Sequence, residues 1–216
     1  MIKHKFLSEK RPDLVEEWNY EKNDGLSPES VKINSNRKVW WKCKHGHEWQ
    51  AIVSDRVSKH IGCPVCSNHK VLAGYNDLET MCPEIAEEWN IEKNGSLLPS
   101  QVVSGSAKVV WWKCKQGHEW KTPVCARTNK GASCPYCSNK KVLVGYNDLA
   151  TVRPEIARDW NYKKNRDLLP TMFSYGSGRK VWWKCSTCGH EWQASINSRN
   201  QGNTCPHCKK IIKGKA

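Results

Sequence analysis

Val39-Trp-Trp-Lys-Cys43, Gly46-His-Glu-Trp49 and Cys63-Pro-Val-Cys66 are three short motifs that together indicate the architecture of this 216-residue chain. The same motifs recur twice more at an interval of 71 residues, with only small changes. A long and regular period indicates tandem copies of one structural unit, so the chemistry is read from the repeat. Two ligand pairs about twenty residues apart are what a small tetrahedral zinc site requires. The repeat therefore predicts three zinc-binding modules, with one Zn²⁺ in each.

The repeat divides the chain into modules that are small enough to need a metal. We predict modules at residues 1–73, 74–144 and 145–216. A unit of about seventy residues is near the lower limit that a hydrophobic core alone can stabilise. The chain is rich in cysteine (12) and tryptophan (12) but has only 2 phenylalanines. Indole rings supply large buried areas, and a bound metal supplies the remaining stabilisation.

The twelve cysteines could alternatively form disulfides in a secreted protein. The Cys-x2-Cys spacing, its internal proline and the repeated histidine favour zinc instead. The first ten residues lack the apolar core of a secretion signal. No stretch approaches the roughly twenty apolar residues of a membrane span. We therefore expect a cytoplasmic zinc protein that does not associate with membranes.

Each copy is predicted to fold as a helix, a β-hairpin and a second helix. The first helix opens on Pro12, Pro83 or Pro154, because proline suits the first helical turn, and it ends at an asparagine such as Asn19. The first strand carries the tryptophan pair, and the second continues from Gly-His-Glu-Trp to Val53 in copy one. Neighbouring strand residues point to opposite faces, so one tryptophan of each pair should enter the core. Cys-Pro-x-Cys should open a short final helix.

The cysteines and histidines of copies one and two give the same ligand set. The predicted ligands are Cys43, His47, Cys63 and Cys66 in copy one, and Cys114, His118, Cys134 and Cys137 in copy two. His45 competes with His47, but copy two has Gln116 at the equivalent position. The repeat therefore selects His47.

Copy three differs, because its first motif is extended to Cys185-Ser-Thr-Cys188-Gly-His190. Cys-x2-Cys is a standard zinc-knuckle spacing. The predicted ligands are Cys185, Cys188, Cys205 and Cys208, and His190 should be released from the metal to support the knuckle. His207 should be exposed, and the basic tail from Lys209 onward is expected to fray. The two cysteines outside the repeat, Cys82 and Cys125, are predicted to be free thiols.

A knuckle, a hairpin and a helix that carries the second ligand pair describe a treble-clef zinc finger. The fold class is therefore a small, metal-stabilised α+β fold of three tandem treble-clef fingers. The order of motifs, with Pro-Glu-Ile-Ala-Glu-Glu-Trp-Asn before them in copy two, resembles the probable zinc-ribbon (treble-clef) repeat family of bacteria, phages and large DNA viruses. The resemblance covers nearly the whole chain and implies zinc binding and association with nucleic acid. It implies no known biochemical activity.

The charge of the chain also points to a polyanionic partner. The formal net charge is +14, and ionised zinc-bound thiols would lower it to roughly +10. Residues 143–216 contain 13 basic and 5 acidic residues, so the positive charge is concentrated in copy three. We therefore expect nucleic acid as the partner, with DNA favoured over RNA. A basic protein without such a partner is the alternative.

Basic residues that recur in every copy are the candidate nucleic-acid contacts. They are Arg37, Lys108 and Arg179; Lys42, Lys113 and Lys184; and Arg56, Arg127 and Arg199. Lysines just after the first helix, such as Lys22, also recur. For the last three arginines an equal alternative is a bracing contact between the hairpin and a carboxylate. An outward tryptophan in each copy could stack on bases if it is exposed.

Two other functions compete with a non-catalytic nucleic-acid-binding protein. One is a protein-interaction adaptor or inhibitor that uses its tryptophan-rich faces. The other is an HNH-type nuclease, since that catalytic fold is also a treble clef. Catalysis needs an open metal position and a free general base. All four positions are filled in each copy, and Glu48, Glu119 and Glu191 are expected to face solvent. We therefore expect no enzyme activity and no small-molecule substrate.

Overall fold

The computed structural model describes residues 5–213, with side chains up to residue 211. These residues form two compact units. The first unit extends to Trp112 and also includes Lys121–Lys130, and the second comprises Lys113–Trp120 and the chain from Gly131 onward. The division falls inside copy two, whose knuckle residues Cys114 and His118 belong to the second unit. None of the described helices has the length and apolar character that crossing a bilayer requires.

Each copy contains one two-stranded sheet. The strands are β1 (Lys38–Lys42), β2 (Glu48–Ile52), β3 (Val109–Lys113), β4 (Glu119–Pro123), β5 (Lys180–Lys184) and β6 (Glu191–Ser195). In copy one the strands are antiparallel, with Trp41 opposite Trp49 and Lys42 opposite Glu48. The second tryptophan of each pair is fully buried, while the first is half-buried. The alternation predicted from strand geometry is therefore present in all three copies.

Short helices flank these sheets. They are α1 (Leu7–Lys10), α2 (Pro12–Val15), α3 (Val53–Lys59), α4 (Leu78–Met81), α5 (Pro83–Ala86), α6 (Ile91–Asn94), α7 (Val124–Thr128), α8 (Leu149–Val152), α9 (Pro154–Ala157), α10 (Tyr162–Asn165), α11 (Ile196–Asn200) and α12 (Pro206–Lys213). Two 3₁₀ turns lie at Pro99–Gln101 and Pro170–Met172. All but α12 have seven residues or fewer, so their stability depends on packing rather than on helix propensity.

The first predicted helix is shorter than the sequence pattern indicated. Helix α2 ends at Val15, and Trp18 instead forms an isolated β-bridge with Trp41 of the sheet. The asparagine that follows does not end a helix. In copy two, the Asn90 side chain accepts a hydrogen bond from the Lys93 amide and caps α6. The predicted role of these asparagines was therefore wrong, because their side chains satisfy amides at the start of the next turn.

The second strand of copy one ends at Ile52, and Val53 begins helix α3. This helix and its counterparts α7 and α11 were not predicted. Val53 and Arg56 lie one turn apart and are both buried, while Val57 packs against the same core. The element was missed because a charged residue occupies one of its buried positions.

The Cys-Pro-x-Cys motif opens a helix only in copy three, where α12 extends to Lys213. In copies one and two the chain turns instead, because Asn68 and Asn139 adopt positive φ angles of 59° and 56°. Asparagine tolerates this left-handed conformation better than most residues. Copy three has Lys210 at the equivalent position, and the helix continues. The tail predicted to fray is thus helical through Lys213, and its last three residues lie outside the described part of the chain.

The core of each copy is built on a pair of tryptophans that meet edge to face. The ring centroids of Trp18 and Trp41 are 5.5 Å apart, and those of Trp160 and Trp183 are 5.4 Å apart. An arginine guanidinium lies over the second ring, with the carbon of Arg56 at 4.7 Å from the Trp41 centroid. Such contacts add cation–π attraction to the burial of large apolar surfaces.

The three core arginines are Arg56, Arg127 and Arg199, for which two roles were predicted: nucleic-acid contacts or internal bracing. Only 3%, 8% and 8% of their surfaces are exposed. Each is paired with a carboxylate: Arg56 with Glu17, Arg127 with Glu88, and Arg199 with Asp159. A guanidinium buried in this way cannot reach a phosphate without breaking its ion pair. The prediction of nucleic-acid contacts at these positions is therefore corrected to the bracing role.

We expect Arg199→Ala to lower the free energy of unfolding by about 3 kcal/mol, because it leaves the Asp159 carboxylate without its buried partner. Arg179→Ala is the matched control, since Arg179 is exposed, and it should change stability by less than about 0.5 kcal/mol. Urea denaturation of both zinc-loaded proteins measures the difference. Equal stability of the two variants would contradict the bracing role of the Arg199–Asp159 ion pair.

Candidate metal centres

The first two metal ligands of copy one lie in a tight turn between β1 and β2. Cys43 follows β1, and its backbone amide donates to the carbonyl of His47 at 3.0 Å. The Gly46 amide donates back to the Cys43 carbonyl at 2.8 Å. Gly46 has a φ of 81°, a conformation that glycine adopts without steric cost. The turn therefore presents the Cys43 thiol and the His47 ring on the same side.

The Cys-Pro-x-Cys turn of copy one completes a set of four donors. Nδ1 of His47 lies 3.5 Å from Sγ of Cys43, 3.3 Å from Sγ of Cys66 and 3.7 Å from Sγ of Cys63. The Cys43 and Cys66 sulfurs are 3.7 Å apart. A tetrahedron with Zn–S bonds of about 2.3 Å has sulfur–sulfur edges of about 3.8 Å. The donor set therefore has the size that a tetrahedral zinc ion requires.

Copy two repeats this geometry within the second unit. Nδ1 of His118 lies 3.5 Å from Sγ of Cys114, 3.2 Å from Cys137 and 3.7 Å from Cys134. His45, which competed with His47 in copy one, is exposed and is not one of the four clustered donors. The four predicted ligands of each of these copies are thus brought together, with all donor atoms within 4.8 Å of one another.

The third centre is built from four cysteines. Sγ of Cys185 lies 3.8 Å from that of Cys208, and Sγ of Cys188 lies 3.6 Å from that of Cys205. Cys188 thus occupies the position that histidine takes in the other copies. His190 is outside the donor set: its ring stacks on His207 at a centroid distance of 5.6 Å. The backbone carbonyl of His190 accepts a hydrogen bond from the Cys185 amide, which supports the knuckle.

The thiols of the third tetrad do not ionise independently. Burial raises the pKa of Cys185, but hydrogen bonds from the backbone amides of Cys188 and Thr187 outweigh it and lower the pKa to about 7. A hydrogen bond with Cys188 and burial raise the pKa of Cys208 to about 12. Zinc binds thiolates, so loading this site displaces the remaining thiol protons. We therefore expect its zinc affinity to fall as the pH decreases.

Two tyrosines that were not predicted to belong to the centres lie against them. The Tyr75 ring meets the His47 ring edge to face at 4.4 Å, and Tyr146 meets His118 at 4.1 Å. The Tyr146 hydroxyl donates to Sγ of Cys137 at 3.8 Å. Both tyrosines belong to segments 67–78 and 138–149, which join successive copies and are nearly identical in sequence. That near-identity was the available signal for their role.

A family model described as a probable treble-clef zinc finger domain matches residues 14–69, 85–140 and 156–211. The chain belongs to this family. No curated protein matches it. Each matched segment includes one complete tetrad, so the three centres are the zinc sites of three successive fingers. The predicted resemblance, the fold class and the zinc cofactor are confirmed.

The cysteines and carboxylates outside the donor sets have other surroundings. Cys82 and Cys125 are partly buried and belong to none of the three tetrads.

Glu48 was expected to face solvent, but its carboxylate pairs with Lys22 and accepts a hydrogen bond from Nδ2 of Asn19 at 2.8 Å. The Lys22 contact holds the pKa of Glu48 below its usual value. Glu191 is paired in the same way with Lys164 at 2.7 Å.

The remaining predicted nucleic-acid residues are all exposed. They are Arg37, Lys42, Lys108, Lys113, Arg179 and Lys184. Lys42, Lys113 and Lys184 each end the first strand of a hairpin, directly before the first zinc ligand. The zinc knuckle therefore fixes the backbone from which each of these lysines projects.

Replacing single residues of copy three tests which side chain completes its site. We expect Cys188→Ser to bind two zinc ions per chain, because serine is a poor zinc ligand. His190→Ala should retain three, since the contact of His190 with the knuckle is made by its backbone. Metal analysis of the purified proteins by mass spectrometry measures both. Loss of one zinc ion from His190→Ala but none from Cys188→Ser would reverse the assignment.

Proposed function

We propose that this protein binds nucleic acid without catalysis, through the outer faces of its three hairpins. The observation that carries the proposal is the same exposed lysine beside the same half-buried tryptophan in every copy. On β1, Lys38 and Lys42 share the outer face with Trp40, while Val39 and Trp41 point into the core. On β5 the outer face carries Lys180, Trp182 and Lys184. The core does not require these outward-facing residues. Their repetition at equivalent positions therefore supports a shared surface role.

The outer tryptophans are covered by lysine side chains. Nζ of Lys22 lies 4.6 Å from the Trp40 ring centroid, and Nζ of Lys164 lies 4.1 Å from that of Trp182. In copy two, Lys121 lies 4.8 Å from the centroid of Trp111. An indole face covered by an ammonium group is a poor platform for base stacking. We therefore propose contacts to phosphates rather than to bases, with duplex DNA as the preferred polymer.

The donor sets support a structural role for zinc. Four protein ligands fill the tetrahedron in each copy, whereas catalytic zinc sites keep one position open for water or substrate. Glu48, the acidic neighbour of a zinc ligand, is held by Lys22 and Asn19 instead of being free to act as a base. We therefore propose that the protein is not a nuclease. The need for reduced thiols further supports a cytoplasmic location.

Neutralising one outer lysine per copy tests the proposed surface. The variant Lys42→Gln, Lys113→Gln and Lys184→Gln should weaken binding to a DNA duplex by at least about tenfold at about 50 mM salt. The slope of log affinity against log salt should become shallower by about 2.7, because three phosphate contacts are removed. Fluorescence anisotropy across a salt series measures both quantities.

The matched control removes the same charge from exposed lysines away from the hairpins. It is the variant Lys70→Gln, Lys141→Gln and Lys209→Gln. We expect this control to keep most of the affinity and a slope close to that of the unmodified protein. An equal loss of affinity in the two variants would show that total charge, rather than the hairpin surface, determines binding. Absence of binding by the unmodified protein at about 50 mM salt would refute the proposed function.

A further inference from the structure

We propose that the third zinc site is an oxidation site, at which a hydroperoxide forms a disulfide and abolishes metal binding. The first two sites are protected by tyrosines. The reactivity of the three tetrads does not depend on nucleic-acid binding. It rests on which thiol is exposed at each site and on what that thiol contacts.

One thiol in each of the first two tetrads is exposed, and a tyrosine packs against each of these sites. Cys66 and Cys137 are exposed, whereas the other four cysteine ligands of these two sites are buried. The Tyr146 hydroxyl donates to Sγ of Cys137 at 3.8 Å. Tyr75, at the equivalent position of copy one, packs edge to face on His47 with the ring centroids 4.4 Å apart. A hydrogen bond to a zinc-bound thiolate withdraws electron density from the sulfur that an oxidant would attack. The most accessible sulfur of the second site is therefore the one that the tyrosine hydroxyl shields, and Tyr75 holds the equivalent position at the first site.

The tyrosines are held in place by the residues that follow them. Nδ2 of Asn76 donates to the Val65 carbonyl at 2.9 Å, and Nδ2 of Asn147 donates to the Tyr136 carbonyl at 2.8 Å. These asparagines are buried, and their contacts tie the segment after each tetrad to the Cys-Pro-x-Cys turn. The Asp77 carboxylate accepts from the Gly74 amide at 2.7 Å and also caps α4. Hydrogen bonds made by the residues before and after each tyrosine therefore fix its position.

The third tetrad has a different exposed thiol and different surroundings. Cys188 of the knuckle is exposed, and it stands where the other sites have histidine. After Cys208 the chain continues as α12 instead of making the turn at Asn68 and Asn139 that precedes each tyrosine. No tyrosine occurs between Cys208 and residue 213. Four thiolates also leave the site with a charge of about −2, against about −1 for three thiolates and a histidine, which favours attack on an electrophilic oxidant.

The distances in the third tetrad define the reaction. The Cys188 thiolate attacks one oxygen of hydrogen peroxide, the O–O bond breaks, and a sulfenic acid and hydroxide form. Sγ of Cys205, 3.6 Å away, then attacks the sulfenic sulfur, so that an S–S bond forms and a second hydroxide leaves. Two protons convert the hydroxides to water. The two sulfurs lose two electrons, the peroxide gains them, and the site loses two of its four zinc ligands.

The full zinc-loaded chain treated with hydrogen peroxide tests this reactivity. Zinc release is followed with a chromogenic chelator, and disulfides are located by mass spectrometry of peptides. We expect one zinc ion per chain to be released about tenfold faster than the other two. The first disulfide should join Cys188 to Cys205. Release of all three ions at one rate, or a first disulfide in copy one or two, would overturn the proposal.

The double variant Tyr75→Phe and Tyr146→Phe tests the shielding separately. It retains both rings and removes only the hydroxyls, so the fold should be preserved. We expect zinc release from the first two sites to become several-fold faster, while release from the third is unchanged. Tyr20→Phe and Tyr162→Phe form the matched control, because both tyrosines are 58% exposed and belong to no metal site. Identical release rates in the two double variants would show that the hydroxyls do not protect the thiolates.

Discussion

The structure depends on four donor atoms held at the spacing of a zinc tetrahedron, three times along the chain. Each tetrad joins a β-hairpin turn to a Cys-Pro-x-Cys turn some twenty residues later. Without an ion, the buried thiols would have to remain protonated, because neighbouring thiolates would repel one another. The small hydrophobic core of each copy would then gain little from bringing the two turns together. With the ion, the coordination energy becomes folding energy. The remaining elements are short because the metal, rather than long helices or wide sheets, fixes the chain.

The second organising contact is the arginine that lies over the core tryptophans. Arg56, Arg127 and Arg199 each combine an ion pair with a cation–π contact, and they link the start of a copy to the helix after its hairpin. The acidic partners come from the segment just before the asparagine caps. The same residues that resembled a repeated binding motif are thus internal braces. The surface left for a partner is the outer face of each hairpin, where exposed lysines flank a lysine-covered tryptophan.

The sequence predicts the zinc ligands well because their spacing is local and their chemistry is restrictive. That one tryptophan of each pair enters the core likewise follows from the alternation of strand residues, but which of the two does so is known only from the structure. Other features depend on contacts that no local pattern reports. Whether Arg56 is buried depends on Glu17, 39 positions away. Whether Cys-Pro-x-Cys opens a helix depends on one asparagine that accepts a positive φ angle.

The tyrosine contacts illustrate the same limit. Segments 67–78 and 138–149 had the appearance of connections between modules, yet Tyr75 and Tyr146 lie on the metal centres of the copies that precede them. Only the fold of the Cys-Pro-x-Cys turn brings them there. The three centres consequently differ in more than their ligands. In two of them a tyrosine ring packs on the histidine ligand, and the third has four thiolates and an exposed knuckle cysteine.

The circular dichroism of the tryptophan bands during zinc removal tests the central claim most directly. Trp41, Trp112 and Trp183 are fully buried, so their near-ultraviolet signal reports on the packed core of each copy. A strong chelator under reducing conditions should abolish this signal, and three equivalents of zinc per chain should restore it. A near-ultraviolet spectrum that persists after complete removal of zinc would contradict the account, since the cores would then form without the metal.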